Sequence, residues 1–159
     1  MMSGPLKIFL ALLRIAAALS LLGPGFSKLG WFASAQPLQQ KLTTWAASTP
    51  HAFIAKYINF MLPHAGVLSK VVVLGELGLG ALLLVGFLTP IAALLAFLMV
   101  LQFHFASGML LTKEYVMGQN GLVYLVIFLV LFAGRAGQAL GADGVIGRAA
   151  TGGGAGQKR

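Results

Sequence analysis

Residues 71–90 read VVVLGELGLGALLLVGFLTP, an apolar run that contains a single carboxylate at Glu76. The run is long enough to form a helix across the apolar core of a bilayer, which takes roughly 20 residues. It ends at Thr89-Pro90, where proline can begin a helix but cannot continue one. A further apolar run follows at once. The stretch therefore predicts two membrane-spanning helices that are joined by a tight turn and run antiparallel.

Two more apolar runs extend this pattern to four spans. We predict spans at about 5–22, 68–88, 90–111 and 115–134. The sequence Gly23-Pro24-Gly25 is expected to end the first of them. The predicted fold class is therefore all-α, an integral membrane up-down four-helix bundle. This transmembrane domain would occupy residues 1–148, and a disordered basic tail would follow at 149–159.

Composition supports an integral membrane protein. The chain is 58% hydrophobic and 9% charged, whereas soluble domains carry about 25% charged residues. The net charge is +8, but the basic residues are scattered between apolar runs, so we expect anionic lipid headgroups and no nucleic acid as the partner. The chain has no cysteine, which excludes a thiol relay and thiolate-bound metal centres within it.

The long connection between the first two spans predicts an interfacial amphipathic loop at 31–64. It contains two pieces with apolar residues at helical spacing. These residues are Leu38, Leu42 and Trp45 in the first piece, and Ile54, Ile58 and Met61 in the second. We expect the loop to cover one end of the bundle on the membrane surface, with Trp31, Trp45 and Tyr57 as interface anchors.

Several polar residues lie at membrane depth, where they are costly and often functional. They are Arg14, Glu76, Gln102, His104, Gln119 and Asn120, with Lys28 as a residue that could roof them. Helix rise places them all in the half of the bundle that faces the long loop. Arg14 and Glu76 then differ in depth by roughly 4–5 Å, which predicts an ion pair between them. Gly108 and Ser107 favour His104 over Gln102 as the inward-facing residue of its helix.

Two interpretations of these residues remain open. The ion pair could clamp two helices, or the residues could line a loop-covered pocket that binds a redox-active head group or an ion. His104 could be a hydrogen-bonded core residue, a ligand or a proton carrier. No metal site is evident. A haem between helices would need two axial ligands, and His104 is the one histidine at membrane depth.

Several motifs make the chain similar to a known family. They are Arg14, Gly25-Phe26-Ser27-Lys28-Leu29, the run from Gly75 to Gly80, the run from Leu84 to Pro90, Ala133-Gly134-Arg135 and the run from Leu140 to Asp143. Across residues 8–148 the sequence resembles the DoxX-like family of small four-helix membrane proteins, which includes DoxD-type thiosulfate:quinone oxidoreductase subunits. The resemblance implies an association with membrane redox systems. It also implies that Arg14, Lys28 and Glu76 are recurring polar positions of the family.

Three functions follow as hypotheses. The first is a membrane subunit associated with a redox system, with quinone as the possible cofactor at a site around Arg14, Glu76 and His104, and with electrons from a redox partner. The alternative is a non-catalytic accessory subunit of a larger membrane protein complex. The third is a small transporter, which the absence of inverted repeats disfavours. We expect a bacterial inner membrane location with both termini in the cytoplasm.

Overall fold

The computed structural model describes residues 4–113, 115 and 121–152. In these residues every regular element is helical, as predicted. The helices are α1 (Gly4–Ser27), α2 (Gln36–Ser48), α3 (Ala52–Met61), α4 (Ala65–Val85), α5 (Thr89–Ala106), α6 (Leu122–Ala133) and α7 (Ala142–Gly152). Short 3-10 turns occur at Leu29–Phe32, Leu62–His64, Met109–Leu111 and Ala136–Gln138. Helix α7 includes residues 149–152 of the predicted tail, and residues 153–159 lie outside the described residues.

Three helical stretches are long and apolar enough to cross a bilayer. They are Gly4–Ser27, Thr89–Ala106 and the 34-residue stretch Ala52–Val85, in which α3 continues into α4. Helix α6 is apolar but has 12 described residues. The beginning of the predicted fourth span falls on residues 116–120, outside the described part. The chain is therefore a helical integral membrane protein.

Helix α1 does not end at Gly23-Pro24-Gly25 as predicted. It continues through Pro24 to Ser27, and the amide of Lys28 still donates to the Pro24 carbonyl at 3.1 Å. Proline removes one backbone donor, which a long apolar helix tolerates when its other hydrogen bonds remain. Gly25 is buried against α4, where a Cβ atom would come within 3.1 Å of the Cβ of Glu76. Glycine at this position thus serves the close approach of two helices.

The register of α1 on α4 is antiparallel. Close contacts join Gly25 to Glu76, Ala18 to Gly80, and Arg14 to Gly86. Gly86 takes the left-handed conformation with φ of 73° and turns the chain from α4 into α5. Helix α5 packs on both α4 and α6, and α6 returns to α1. These contacts enclose a core of small and branched residues that includes Ala18, Leu83, Ala93, Ala96 and Phe128.

Helices α2 and α3 are the two amphipathic pieces that the sequence pattern indicates. Their buried residues are Leu38, Leu42, Ile54 and Ile58, which join Val73 of α4 in a second core. The predicted anchors contact protein. Trp31 is buried in this second core, and its role as an interface anchor stays a prediction. Trp45 packs edge-on against Phe103, and Tyr57 packs edge-on against Phe105.

Candidate functional site

The polar residues predicted to share one half of the membrane form two separate centres. Arg14 lies level with Gly86, whereas Glu76 lies ten residues earlier on α4. Ten residues of helix correspond to roughly 15 Å along the axis. The predicted Arg14–Glu76 ion pair is therefore wrong. The depth estimate failed because α1 extends five residues beyond Leu22, which moves its loop end away from Arg14.

The first centre holds the α4–α5 turn against the segment that follows α6. The buried guanidinium of Arg14 donates to the carbonyl oxygens of Ala136 at 3.2 Å, Ala139 at 3.4 Å and Leu140 at 3.4 Å. It also passes against Gly86 and Gly141, where a Cβ atom on either glycine would collide with it. Arg14 thus satisfies backbone carbonyls of the segment that follows α6, while its Nε is buried without a partner in the described part of the chain.

Asp143 completes this centre from α7. Its carboxylate accepts hydrogen bonds from the backbone amides of Leu88 at 2.8 Å and Thr89 at 2.9 Å. These amides begin α5, and a helix leaves its first amides without intrahelical partners. The backbone amide of Asp143 in turn donates to the Gly86 carbonyl at 2.9 Å. Asp143 therefore caps a helix that is 54 residues away in sequence and belongs to the structural clamp with Arg14.

The second centre is an ion pair between Lys28 and Glu76. The ammonium of Lys28 donates to Oε1 of Glu76, and their side chains are 20% and 9% exposed. Lys28 also lies over the rings of Trp31 at 5.5 Å and Phe103 at 5.8 Å. A cation benefits from such aromatic faces. The other carboxylate oxygen, Oε2 of Glu76, is buried without a hydrogen-bond partner in the described part of the chain.

A cavity of about 360 Å³ adjoins this ion pair. Its polar residues are Ser20, Lys28, Lys41, Glu76, His104 and Ser107, and its aromatic residues are Trp31, Trp45, Phe103 and Tyr124. The volume lies in the range of small-molecule sites, roughly 300–1,000 Å³. Helices α1, α4 and α5 supply the deep residues, and α2 supplies Lys41 and Trp45 at the loop end. A cavity with apolar walls and a few convergent polar groups is the form of a binding site.

His104 and Gln102 have different surroundings, as their angular separation on α5 requires. His104 lines the cavity, and its Nδ1 is hydrogen-bonded to the buried hydroxyl of Tyr115 at 2.9 Å. Gln102 instead lies beside α2 and α3, with its side-chain amide 3.5 Å from the sulfur of Met61. Two other predicted site residues, Gln119 and Asn120, lie outside the described residues. The structure thus groups Lys28, Glu76 and His104 around one cavity and separates Arg14 and Gln102 from it.

Sequence reasoning missed two kinds of site residue. Trp31 and Trp45, which supply walls of the cavity, were interpreted as membrane anchors, although the position of Trp45 on a short amphipathic helix also fits packing over a bundle end. Asp143 was not singled out as a site residue, although acidic residues are scarce in this chain. Because Asp143 caps α5, which is 54 residues away in sequence, local sequence patterns gave no signal for this role.

The fold and the cavity define a class, which is a helical integral membrane protein with a loop-covered pocket between its helices. The family model of DoxX matches residues 9–107, which is more than half of the chain. The chain therefore belongs to the DoxX family, and the resemblance noted in the sequence is confirmed. The match includes Lys28, Glu76 and His104, as well as Arg14. Comparisons with curated proteins and with solved structures gave no match.

Proposed function

We propose that this DoxX protein is a small membrane subunit associated with a redox system, and that its cavity binds a quinone-type head group. The observation that carries the proposal is the convergence of Lys28, Glu76 and His104 on one cavity with aromatic walls. A flat, apolar ring with polar oxygen atoms suits such walls and such polar groups. Members of DoxX-like families are associated with membrane redox systems, which is consistent with this ligand class.

Each residue has a distinct part in the proposed binding. The ammonium of Lys28 carries three donors, of which one goes to Glu76, so the others are available to a ligand oxygen. Trp31 and Phe103 form flat surfaces beside it. Tyr115 holds the His104 ring in position through its hydroxyl. Arg14, which the sequence hypothesis included, has no part in this site because its guanidinium is directed to carbonyls at the other end of α1.

Electrons for any redox reaction at this site would come from a partner protein. Among the described residues, no three histidine or acidic side chains gather as a possible metal site. The chain would then serve as a membrane binding site within a larger complex. In the alternative, a purely accessory subunit, the cavity would remain without a quinone and the chain would contribute only packing to its complex.

We propose that the protein crosses the membrane four times. Helix α6 lies in a fourth span, which completes an up-down bundle with α1, α4 and α5. The exposed apolar faces of α1, α4 and α5 support contact with lipid along their length. Helices α2 and α3 lie at the membrane surface, and α2 covers the cavity with Lys41 and Trp45. The location is a bacterial inner membrane with both termini in the cytoplasm.

The two tryptophans allow a direct test, because the chain has only two and both line the cavity. Purified protein in nanodiscs is titrated with decylubiquinone while tryptophan fluorescence is recorded. We expect saturable quenching. The variant Lys28→Met should bind roughly 10- to 100-fold more weakly, because it loses one hydrogen bond from a charged donor.

The matched control is Lys56→Met, since Lys56 is an exposed lysine of α3 that does not line the cavity. It should bind like the parent and correct for quinone dissolved in the lipid. Quenching that does not saturate, or that is the same in the Lys28 and Lys56 variants, contradicts the proposal. In that case, co-purification with a stoichiometric complex would support the accessory role instead.

A further inference from the structure

The buried oxygen of Glu76 bears on which form of a ligand the cavity prefers. Glu76 is 6% exposed and lines the cavity. Its Oε1 accepts from Lys28, whereas its Oε2 has no hydrogen-bond partner among the residues that the structure describes. A buried polar atom without a partner is costly and indicates a group that something else satisfies.

An ionised carboxylate can only accept hydrogen bonds. Because Glu76 is paired with an ammonium, its free oxygen can accept a hydrogen bond from a donor on the ligand. A ligand that carries only carbonyl groups has acceptors and no donors. It can accept a hydrogen bond from Lys28, but it cannot donate one to Glu76. A hydroxyl group does both, because its oxygen accepts from Lys28 while its hydrogen is donated to Glu76.

We propose that the cavity selects the reduced, dihydroxy-aromatic form of its ligand over the oxidised, dicarbonyl form, through a hydrogen bond from a ligand hydroxyl to Oε2 of Glu76. This inference rests on the proposed function and names the redox form of the same ligand class. Glu76 is therefore a specificity-determining residue. Lys28 does not discriminate, since both forms offer it an acceptor.

Selective binding of the reduced form has a consequence for electron transfer. Two electrons and two protons separate the dihydroxy form from the dicarbonyl form. Tighter binding of the reduced form raises the reduction potential of the bound couple by about 30 mV for each tenfold ratio of affinities. A site of this kind draws electrons from a donor protein onto the bound ligand and retains the product until it leaves for the membrane.

The test compares decylubiquinol with decylubiquinone, both titrated without oxygen against the full chain in nanodiscs. Tryptophan fluorescence gives a Kd for each form. We expect decylubiquinol to bind at least about 10-fold more tightly, because the competing form leaves a buried carboxylate oxygen unsatisfied. Equal affinities, or tighter binding of decylubiquinone, overturn the inference and leave the proposed function standing. Failure of both forms to bind overturns both.

The variant Glu76→Gln provides a second readout. Its amide nitrogen donates, so the preference should shift toward decylubiquinone by at least about 10-fold while a measurable Kd remains. The matched control is Asp143→Asn, the same change of carboxylate to amide in the clamp at the other end of α1, which should keep the preference of the parent. A Glu76→Gln protein with the preference of the parent contradicts the role of Oε2. If that variant does not fold, the two affinities of the parent still decide the question.

Discussion

The substitution Asp143→Ala tests the clamp at the α4–α5 turn. It removes two hydrogen bonds to a charged acceptor, at 2.8 Å from Leu88 and 2.9 Å from Thr89, and leaves those amides at the beginning of α5 without a partner. A hydrogen bond to a charged group contributes roughly 1.5–3 kcal/mol when its partner is buried. Asp143 is half-buried, so we take the lower part of that range for each bond. The expected loss is about 3 kcal/mol of unfolding free energy.

The assay is unfolding by SDS in mixed micelles, followed by the circular dichroism of the helices. Asp143→Asn, which keeps one acceptor oxygen, should lose about half as much as Asp143→Ala. Gln39→Ala, an exposed change on α2, is the control and should stay within about 0.5 kcal/mol of the parent. If Asp143→Ala loses less than about 1 kcal/mol, the carboxylate does not cap α5 in the membrane and the clamp is misassigned.

Two further predictions concern the same two centres. Gly86→Ala should destabilise the protein by about 2–3 kcal/mol in the SDS assay. The reason is that φ of 73° disfavours a side chain and that the new Cβ would collide with Arg14. A change below about 0.5 kcal/mol would mean that the turn readily adopts another conformation. Tyr115→Phe should cost about 1 kcal/mol, since it removes the hydrogen bond to Nδ1 of His104, and should broaden the NMR signals of that ring. Unchanged imidazole signals in Tyr115→Phe would show that Tyr115 does not position the ring.

The sequence predicted the helical class because apolar periodicity and length determine it. The spans at 68–88 and 90–111 correspond to α4 and α5 within a few residues, except that α5 ends at Ala106 and a short turn follows. The tight turn between them was predictable from Thr89-Pro90. The end of α1 was not, because a Gly-Pro-Gly sequence that ends helices in water is compatible with a helix in an apolar environment.

The site was predictable in its residue types and only partly in its pairing. Glu76 and His104 were recognised because charged and polar groups at membrane depth are rare. Lys28 was recognised as a residue that could roof them. Their grouping depends on register, and an error of five residues in α1 displaces Arg14 by roughly 8 Å. Because of that displacement, the basic partner of Glu76 is Lys28 and not the predicted Arg14. A pairing that is predicted from depth alone is therefore only as accurate as the predicted helix end from which the depth is measured.

The two polar centres differ in the space beside their polar groups, and this difference supports a structural role for one and a binding role for the other. At the clamp, Arg14 and Asp143 form their hydrogen bonds with backbone groups, and glycines leave no space beside them. Nε of Arg14 and Oγ1 of Thr89 are also buried there without a partner among the described residues, but the same close packing leaves no room in which a ligand could reach them. All three described non-glycine residues with positive φ, namely Leu88, Arg135 and Leu140, lie in the segments that this clamp joins. Polar groups that bond to strained backbone in a closely packed segment stabilise that backbone. At the cavity, the buried free oxygen of Glu76 adjoins an open space with aromatic walls, which supports the proposal that a ligand binds there.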